Sequence, residues 1–260
     1  MNQAVRFAKP QEPWIGARGR IGVIIPSTNI GVEYDCQRII PAGVTWHFAR
    51  FWVEQPDLSS DNMFLAFIDA IRNTIPDAMR DIMTCEPSYI MMGMSAETFW
   101  GGLEGNVEFE ARLRDSIGPT MGLTSGAAAL KSALDAFGVK SVAALTPYQP
   151  VGDEQVHRFL EESGYTVRKV VGLKCDTATS IAHTPPREVI DVVLNELEGD
   201  NVDAIVQAGT NLSTLDIFPT LEKQLGKPVI PINVATIWHA LRAHGIEDKF
   251  SGKGWLLERF

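Results

Sequence analysis

Eight short runs of apolar and β-branched residues, spaced along the chain by amphipathic segments, restrict this sequence to few architectures. "IGVIIPS" (21–27), "VTWHFARFWV" (44–53), "SYIMMG" (88–93) and "PTMGLT" (119–124) are four of them. "SVAALTP" (141–147), "YTVRKVVGL" (165–173), "DAIVQAG" (203–209) and "KPVIPIN" (227–233) are the others. A strand that is apolar on every residue is buried on both faces, which requires a parallel sheet with helices on each side. The segments between supply those helices: 62–83, 152–164 and 186–198 all carry apolar residues at helical spacing.

The runs also repeat. Pro26 recurs as Pro147, Gly93 as Gly209 and Pro119 as Pro228, at offsets of 121, 116 and 109 residues. A slowly drifting offset with preserved order is what changes in loop length produce between two copies of one unit. The expected fold is α/β: two pseudo-symmetric, Rossmann-like parallel-sheet units with the active-site cleft between them. Residues 1–124 with 234–260 form the first unit in this reading and 125–233 the second.

In open parallel sheets, ligands sit beyond the carboxyl ends of the strands. Those ends here carry small polar groups: Ser27, Thr28 and Asn29; Gly93, Met94 and Ser95; Thr124 and Ser125; Tyr148; Gly209, Thr210 and Asn211. Glycine lets a ligand approach the backbone, and the N–H groups of the helix that follows favour an anion. A small carboxylate is the ligand such loops suit. The same residues singly are what helix N-caps look like; it is their recurrence that points to a site.

At these loops the chain resembles the maleate cis-trans isomerase and arylmalonate decarboxylase branch of the aspartate/glutamate racemase superfamily. The resemblance rests on "GVIIPSTNIGVEYD", "MMGMSAETFWGG", "LTPYQPVGDEQVHRFLEESGY" and "GTNLSTLDIFPTLEKQLGKPVIPIN". It implies that Asn29 and Tyr148 hold a substrate carboxylate. It implies that Thr124 and Ser125, near Ser95, form an oxyanion pocket, and that Asn211 orients a carboxylate. It also implies a cofactor-independent isomerase, decarboxylase or lyase working through an enolate-like intermediate. The superfamily's two cysteines fall on Gly93 and Gly209, so neither thiol is present; glycine there also makes room for a bulkier substrate.

Without those thiols, the proton-transferring candidates are Ser95, Tyr148, Glu97 and His183. Cys36, Cys85 and Cys175 are scattered, with no metal-type spacing to the five histidines, so neither a metal nor a cofactor is expected. A net charge of −9 argues against nucleic-acid or anionic-membrane partners. No apolar leader and no span of membrane length is present, and the expected setting is a cytoplasmic homo-oligomer with a small carboxylic acid as its substrate. Phe64, Phe67 and Ile71, on one face of the 62–83 segment, serve equally as core or as an intersubunit surface. A binding protein that has kept the fold and lost the chemistry is the alternative of a different class.

Overall fold

The structure is a computed structural model that describes residues 14–199 and 201–260. Two four-stranded parallel sheets organise it. The first contains β1 (Gly19–Pro26), β2 (Val44–Phe51), β3 (Tyr89–Met92) and β4 (Leu123–Thr124), in the order β2-β1-β3-β4. The second contains β5 (Ser141–Thr146), β6 (Thr166–Gly172), β7 (Ala204–Gln207) and β8 (Val229–Pro231), in the order β6-β5-β7-β8. The second order is the first with every number raised by four, so the sequence repeat is a repeat of topology.

β1 is buried along almost its whole length, paired with β2 from Gly19↔Val44 to Pro26↔Phe51 and with β3 from Ile21↔Tyr89 to Ile24↔Met92. Continuous apolar character follows from that double burial. β5 takes the matching place, between β6 and β7, and is buried throughout. Fully burying each Ile or Val on these strands contributes about 1.5–3 kcal/mol.

Three expected elements differ. The 62–83 segment is two helices, Asp61–Arg72 and Ile75–Met83. Ser60 caps the first by accepting from the Met63 amide, while Pro76 lies in the first turn of the second, where its missing N–H costs nothing. Pro76 has no N–H to donate to the Arg72 carbonyl, so a helix continuous through it would lose that bond. The "PTMGLT" strand shrinks to Leu123–Thr124 at the sheet edge, and the helix expected over 186–198 widens from Pro186–Val192 into a π turn at Val193–Leu197.

Helix Gly126–Phe137 starts on a Ser125 side chain that accepts from the Ala128 amide, and ends at Gly138 with φ +67°. It packs on helix Ile232–Ala243, which also lies on β3, β4 and β8. No helix among the described residues is long and apolar enough to cross a membrane.

Candidate active site

In each sheet the chain runs from the first strand outward to the second, then crosses to the third on the opposite side. The loops leaving β1 and β3 therefore diverge around a crevice, as do those leaving β5 and β7. The two crevices face one another and form one cleft of about 470 Å³, counting its open mouth. Pro26, Thr28 and Asn29 enter it from β1, and Met94, Ser95 and Ala96 from β3. Pro147 and Tyr148 enter from β5, and Gly209, Thr210 and Asn211 from β7.

One wall is polar. Tyr148 is 5% exposed, and its hydroxyl donates to the Ala208 carbonyl at 3.0 Å. That uses its single proton, so in the 2.6 Å contact between Ser95 Oγ and Tyr148 Oη the serine is the donor. Ser95 Oγ accepts in turn from the Thr210 amide at 3.1 Å. A directed chain results: Thr210 N–H to Ser95 O–H to Tyr148 O–H to Ala208 C=O. Burial pushes the Tyr148 pKa up, against the Ser95 hydrogen bond, so the phenol stays protonated. Asn29 donates from Nδ2 to Thr210 Oγ1 at 3.3 Å and accepts the Val32 amide on Oδ1. Its second amide proton has no partner among the described residues and is available to a ligand.

The other wall is hydrocarbon. Phe64 and Phe67 come from helix Asp61–Arg72, Leu58 from the loop after β2, and Ala178 and Ile181 from the short helix Ala178–Ala182 within the loop after β6. The last two loops meet across the mouth: the Leu58 amide donates to the Asp176 carbonyl at 2.7 Å, and Asp57 and Thr177 form an antiparallel bridge. Phe64 stands edge-on to Tyr148, with ring centroids 5.4 Å apart, so it links the two walls. Sequence reading assigned no such wall. Phe64 and Phe67 at helical spacing were its signal, and they fitted core or interface equally well.

Several expected site residues lie elsewhere. Thr124 Oγ1 contacts Tyr89 Oη and His239 Nδ1, and Ser125 Oγ donates to Glu110 at 2.6 Å; neither lines the cleft. Strand order is the reason: β4 is an edge strand, one place removed from the β1/β3 crevice. Ser27 is turned onto Val53, bonding both its amide and its carbonyl, and thereby pins the ends of β1 and β2 together.

Glu97 is 1% exposed and points away from the cleft, onto Arg72 Nε at 2.7 Å and Arg112 at 3.3 Å. Burial raises its pKa while Arg72 opposes the rise. It ties the short helix after Ser95 to the end of the helix that carries Phe64 and Phe67. His183 is exposed at the end of helix Ala178–Ala182. Gly93 does not line the cleft: a Cβ there would stand 2.6 Å from Ile25 Cγ2 and 2.9 Å from Val32 Cγ1, inside the core. Met94 occupies the cleft wall instead.

Asn211 is 7% exposed and fully used. Its Oδ1 accepts the Ile30 and Gly31 amides at 2.9 and 3.1 Å, and its Nδ2 donates to the Ala178 and Thr28 carbonyls. It caps helix Gly31–Arg38, which follows β1, from the loop after β7. No cysteine lines the cleft: Cys36 is buried in the core, Cys85 is exposed and Cys175 is half-buried. No cluster among the described residues could hold a metal ion.

The family model described as arylmalonate decarboxylase matches residues 22–257. The chain belongs to that family. The maleate isomerase of Alcaligenes faecalis is 26% identical over 247 residues, 92% of this chain and 96% of that protein. The arylmalonate decarboxylase of Bordetella bronchiseptica is 25% identical over 178 residues, 68% of this chain and 73% of that protein.

Among solved structures, a mutant of Nocardia farcinica maleate cis-trans isomerase with a covalently bound succinylcysteine intermediate superposes with a TM-score of 0.83. It is 24% identical, and the match covers 93% of this chain and 98% of that one. A liganded double mutant of arylmalonate decarboxylase superposes at 0.78 with 23% identity, covering 93% and 99%. Both share the fold. This member of the arylmalonate decarboxylase family is thus an enzyme of the isomerase or decarboxylase type.

Proposed function

We propose that the protein decarboxylates a small malonate-type acid through an enolate-like intermediate, without a thiol. The observation that carries this reading is the composition of the cleft: one wall of neutral hydrogen-bond donors, one wall of hydrocarbon and, among the described residues, no titratable side chain except a buried tyrosine. Isomerisation by a thiol adduct needs a nucleophilic cysteine, and racemisation needs an acid and a base on opposite faces. Decarboxylation needs neither. Gly209 occupies the cleft position at which a family cysteine is expected, and the thiol is absent.

The retained carboxylate lies on the polar wall, against Ser95, Tyr148, Asn29 and the Thr210 hydroxyl. The second carboxylate faces Leu58, Phe64, Phe67 and Ile181, where an unpaired charge is unfavourable. Breaking its C–C bond releases neutral CO2 into that wall and sends the electron pair to the retained carboxylate as an enediolate. Charge then develops beside the Asn29 amide and the Ser95 and Tyr148 hydroxyls, whose protons turn from the Ser95–Tyr148–Ala208 chain to the substrate; donors gained as charge builds lower a barrier rather than merely tightening binding. The carbanion takes its proton from Tyr148 or from water, and water reprotonates the phenol.

Incubating the protein with an arylmalonate, an alkylmalonate and maleate in deuterated water, followed by NMR, tests this. The malonates are expected to lose CO2 and gain one deuterium on the α carbon, at a rate unchanged by prior alkylation with iodoacetamide. Maleate is expected to persist. Conversion of maleate to fumarate, or inactivation by alkylation, would overturn the proposal. Thermal stabilisation by the acids without any turnover would favour a binding protein.

A further inference from the structure

We propose that Asp35 is a positioning residue for the cleft: through Ser213 and Asn233 it holds the loop after β7 where the Thr210 amide reaches Ser95. Asp35 lies on helix Gly31–Arg38 and is 0% exposed. Its Oδ1 accepts from Ser213 Oγ at 2.6 Å and its Oδ2 from Asn233 Nδ2 at 2.7 Å. The same Asn233 nitrogen donates its other proton to the Thr210 carbonyl at 2.9 Å. The residue Thr210 is therefore gripped on both sides: its carbonyl by Asn233, and its amide on Ser95 Oγ at 3.1 Å. The loop also lies close against the Asp35 helix, for a Cβ on Gly31 would stand 2.9 Å from the Thr210 carbonyl oxygen.

A carboxylate is the side chain this junction requires. Two donors, one from the loop and one from helix Ile232–Ala243, converge on it, and only a carboxylate accepts from both without presenting a donor of its own. No cation among the described residues pairs with it. Arg38, on its own helix, is committed to Asp216, as is the Tyr34 hydroxyl, and Glu33 is committed to Arg50. Cys36, the neighbouring thiol, is buried and neutral. From helix Ile232–Ala243 the partner is the neutral Asn233 amide, and from the loop the charge that acts on it is Asp216.

Burial is the largest influence on the Asp35 carboxyl and pushes it up to about 6, with Asp216 adding to the rise and Ser213, Asn233 and Arg38 opposing it. Above that value Asp35 is ionised and both bonds are charge-assisted. As pH falls through it the carboxyl is protonated, its bond to Asn233 is no longer charge-assisted, and the amide that grips the Thr210 carbonyl is held less firmly. The ionised form, not the protonated one, is the form that keeps the loop seated.

The Thr210 backbone amide resonance in a 15N–1H NMR titration reads this directly, whatever reaction the cleft performs. In the natural protein it is expected to move with a midpoint near 6, the value at which Asp35 titrates. In Asp35→Asn the titration is expected to vanish. In Ser213→Ala, which removes a bond that lowers the Asp35 pKa, the midpoint is expected to rise. Should Asp35→Asn fail to fold, the upward move in Ser213→Ala decides the matter.

An amide that is flat across this range, or that titrates identically in all folded variants, would overturn the proposal. For malonate turnover, in which the inference rests on the decarboxylase reading, kcat is expected to fall below the same midpoint while KM holds, and to lose that acid limb in Asp35→Asn. Absence of turnover with the Thr210 titration intact would sink the decarboxylase reading alone and leave the positioning role standing.

Discussion

Replacing Tyr148 with phenylalanine is expected to lower kcat by about 10²–10³-fold at nearly constant KM, the usual effect of removing one donor from a pocket that stabilises developing negative charge. The ring stays. Phe64 packs edge-on against it at 5.4 Å, and the backbone is held independently, because the Tyr148 amide donates to Thr146 Oγ1 at 3.0 Å and Thr146 in turn donates to Asp153. The Asp153 carboxyl is pushed up to about 6 by burial but remains an acceptor above that value. What is lost is one O–H. Ser95 loses its acceptor at 2.6 Å, and the Ala208 carbonyl loses its donor at 3.0 Å.

Leaving that carbonyl unpaired costs about 1–3 kcal/mol of stability, visible as a lower Tm. The catalytic loss has a separate origin. Substrate must divert the Ser95–Tyr148–Ala208 chain to obtain a hydroxyl proton, and in the variant the phenol is no longer there to supply one as charge builds. An unchanged kcat in a folded Tyr148→Phe protein would remove Tyr148 from the chemistry and leave it a packing residue.

The architecture was legible in the sequence because its cause is local. "GRIGVIIP" and "SVAALT" are apolar throughout because β1 and β5 are each flanked by strands and covered on both faces. Pro26 and Pro147, and Gly93 and Gly209, mark the same turns in two copies of one topology. The division between cleft and non-cleft loops was not legible in the same way. Thr124 and Ser125 look like Thr28 and Asn29 as text: small polar residues after a strand and before a helix. They differ in the place of their strand within the sheet. β4 is an edge and β1 borders the crevice, and that order is set by long-range pairing which no local pattern records.

Glu97 was misplaced for a related reason. Two residues from Ser95, on a one-turn helix, it emerges on the far side and meets Arg72 and Arg112. The hydrocarbon wall shows the limit most clearly. Phe64 and Phe67 belong to a helix that precedes β3, and only packing brings them opposite Tyr148.

A one-residue difference in register carries the remaining prediction. The two adjacent strand-end positions Gly93 and Met94 face opposite environments. Gly93→Cys would place its Cβ 2.6 Å from Ile25 Cγ2 and 2.9 Å from Val32 Cγ1, both buried, with the Ile24 carbonyl at 3.3 Å. Overpacking of that kind costs about 1–3 kcal/mol, and the resulting thiol is sealed from the cleft. Met94→Cys exchanges one cleft-lining side chain for another, on the strand-end loop opposite Gly209.

The expectation is a lowered Tm and a thiol inert to iodoacetamide for Gly93→Cys. For Met94→Cys, alkylation at residue 94 is expected, slowed by a bound malonate, with peptide mapping separating it from the exposed Cys85. Gly209→Cys is the harder partner to install, since its Cβ would lie 2.5 Å from the Pro147 ring and that loop must shift to admit it. A thiol at 93 that alkylates freely while one at 94 does not would reverse the register. It would place Gly93 on the cleft and turn Met94 from a wall of the cleft into a residue of the core.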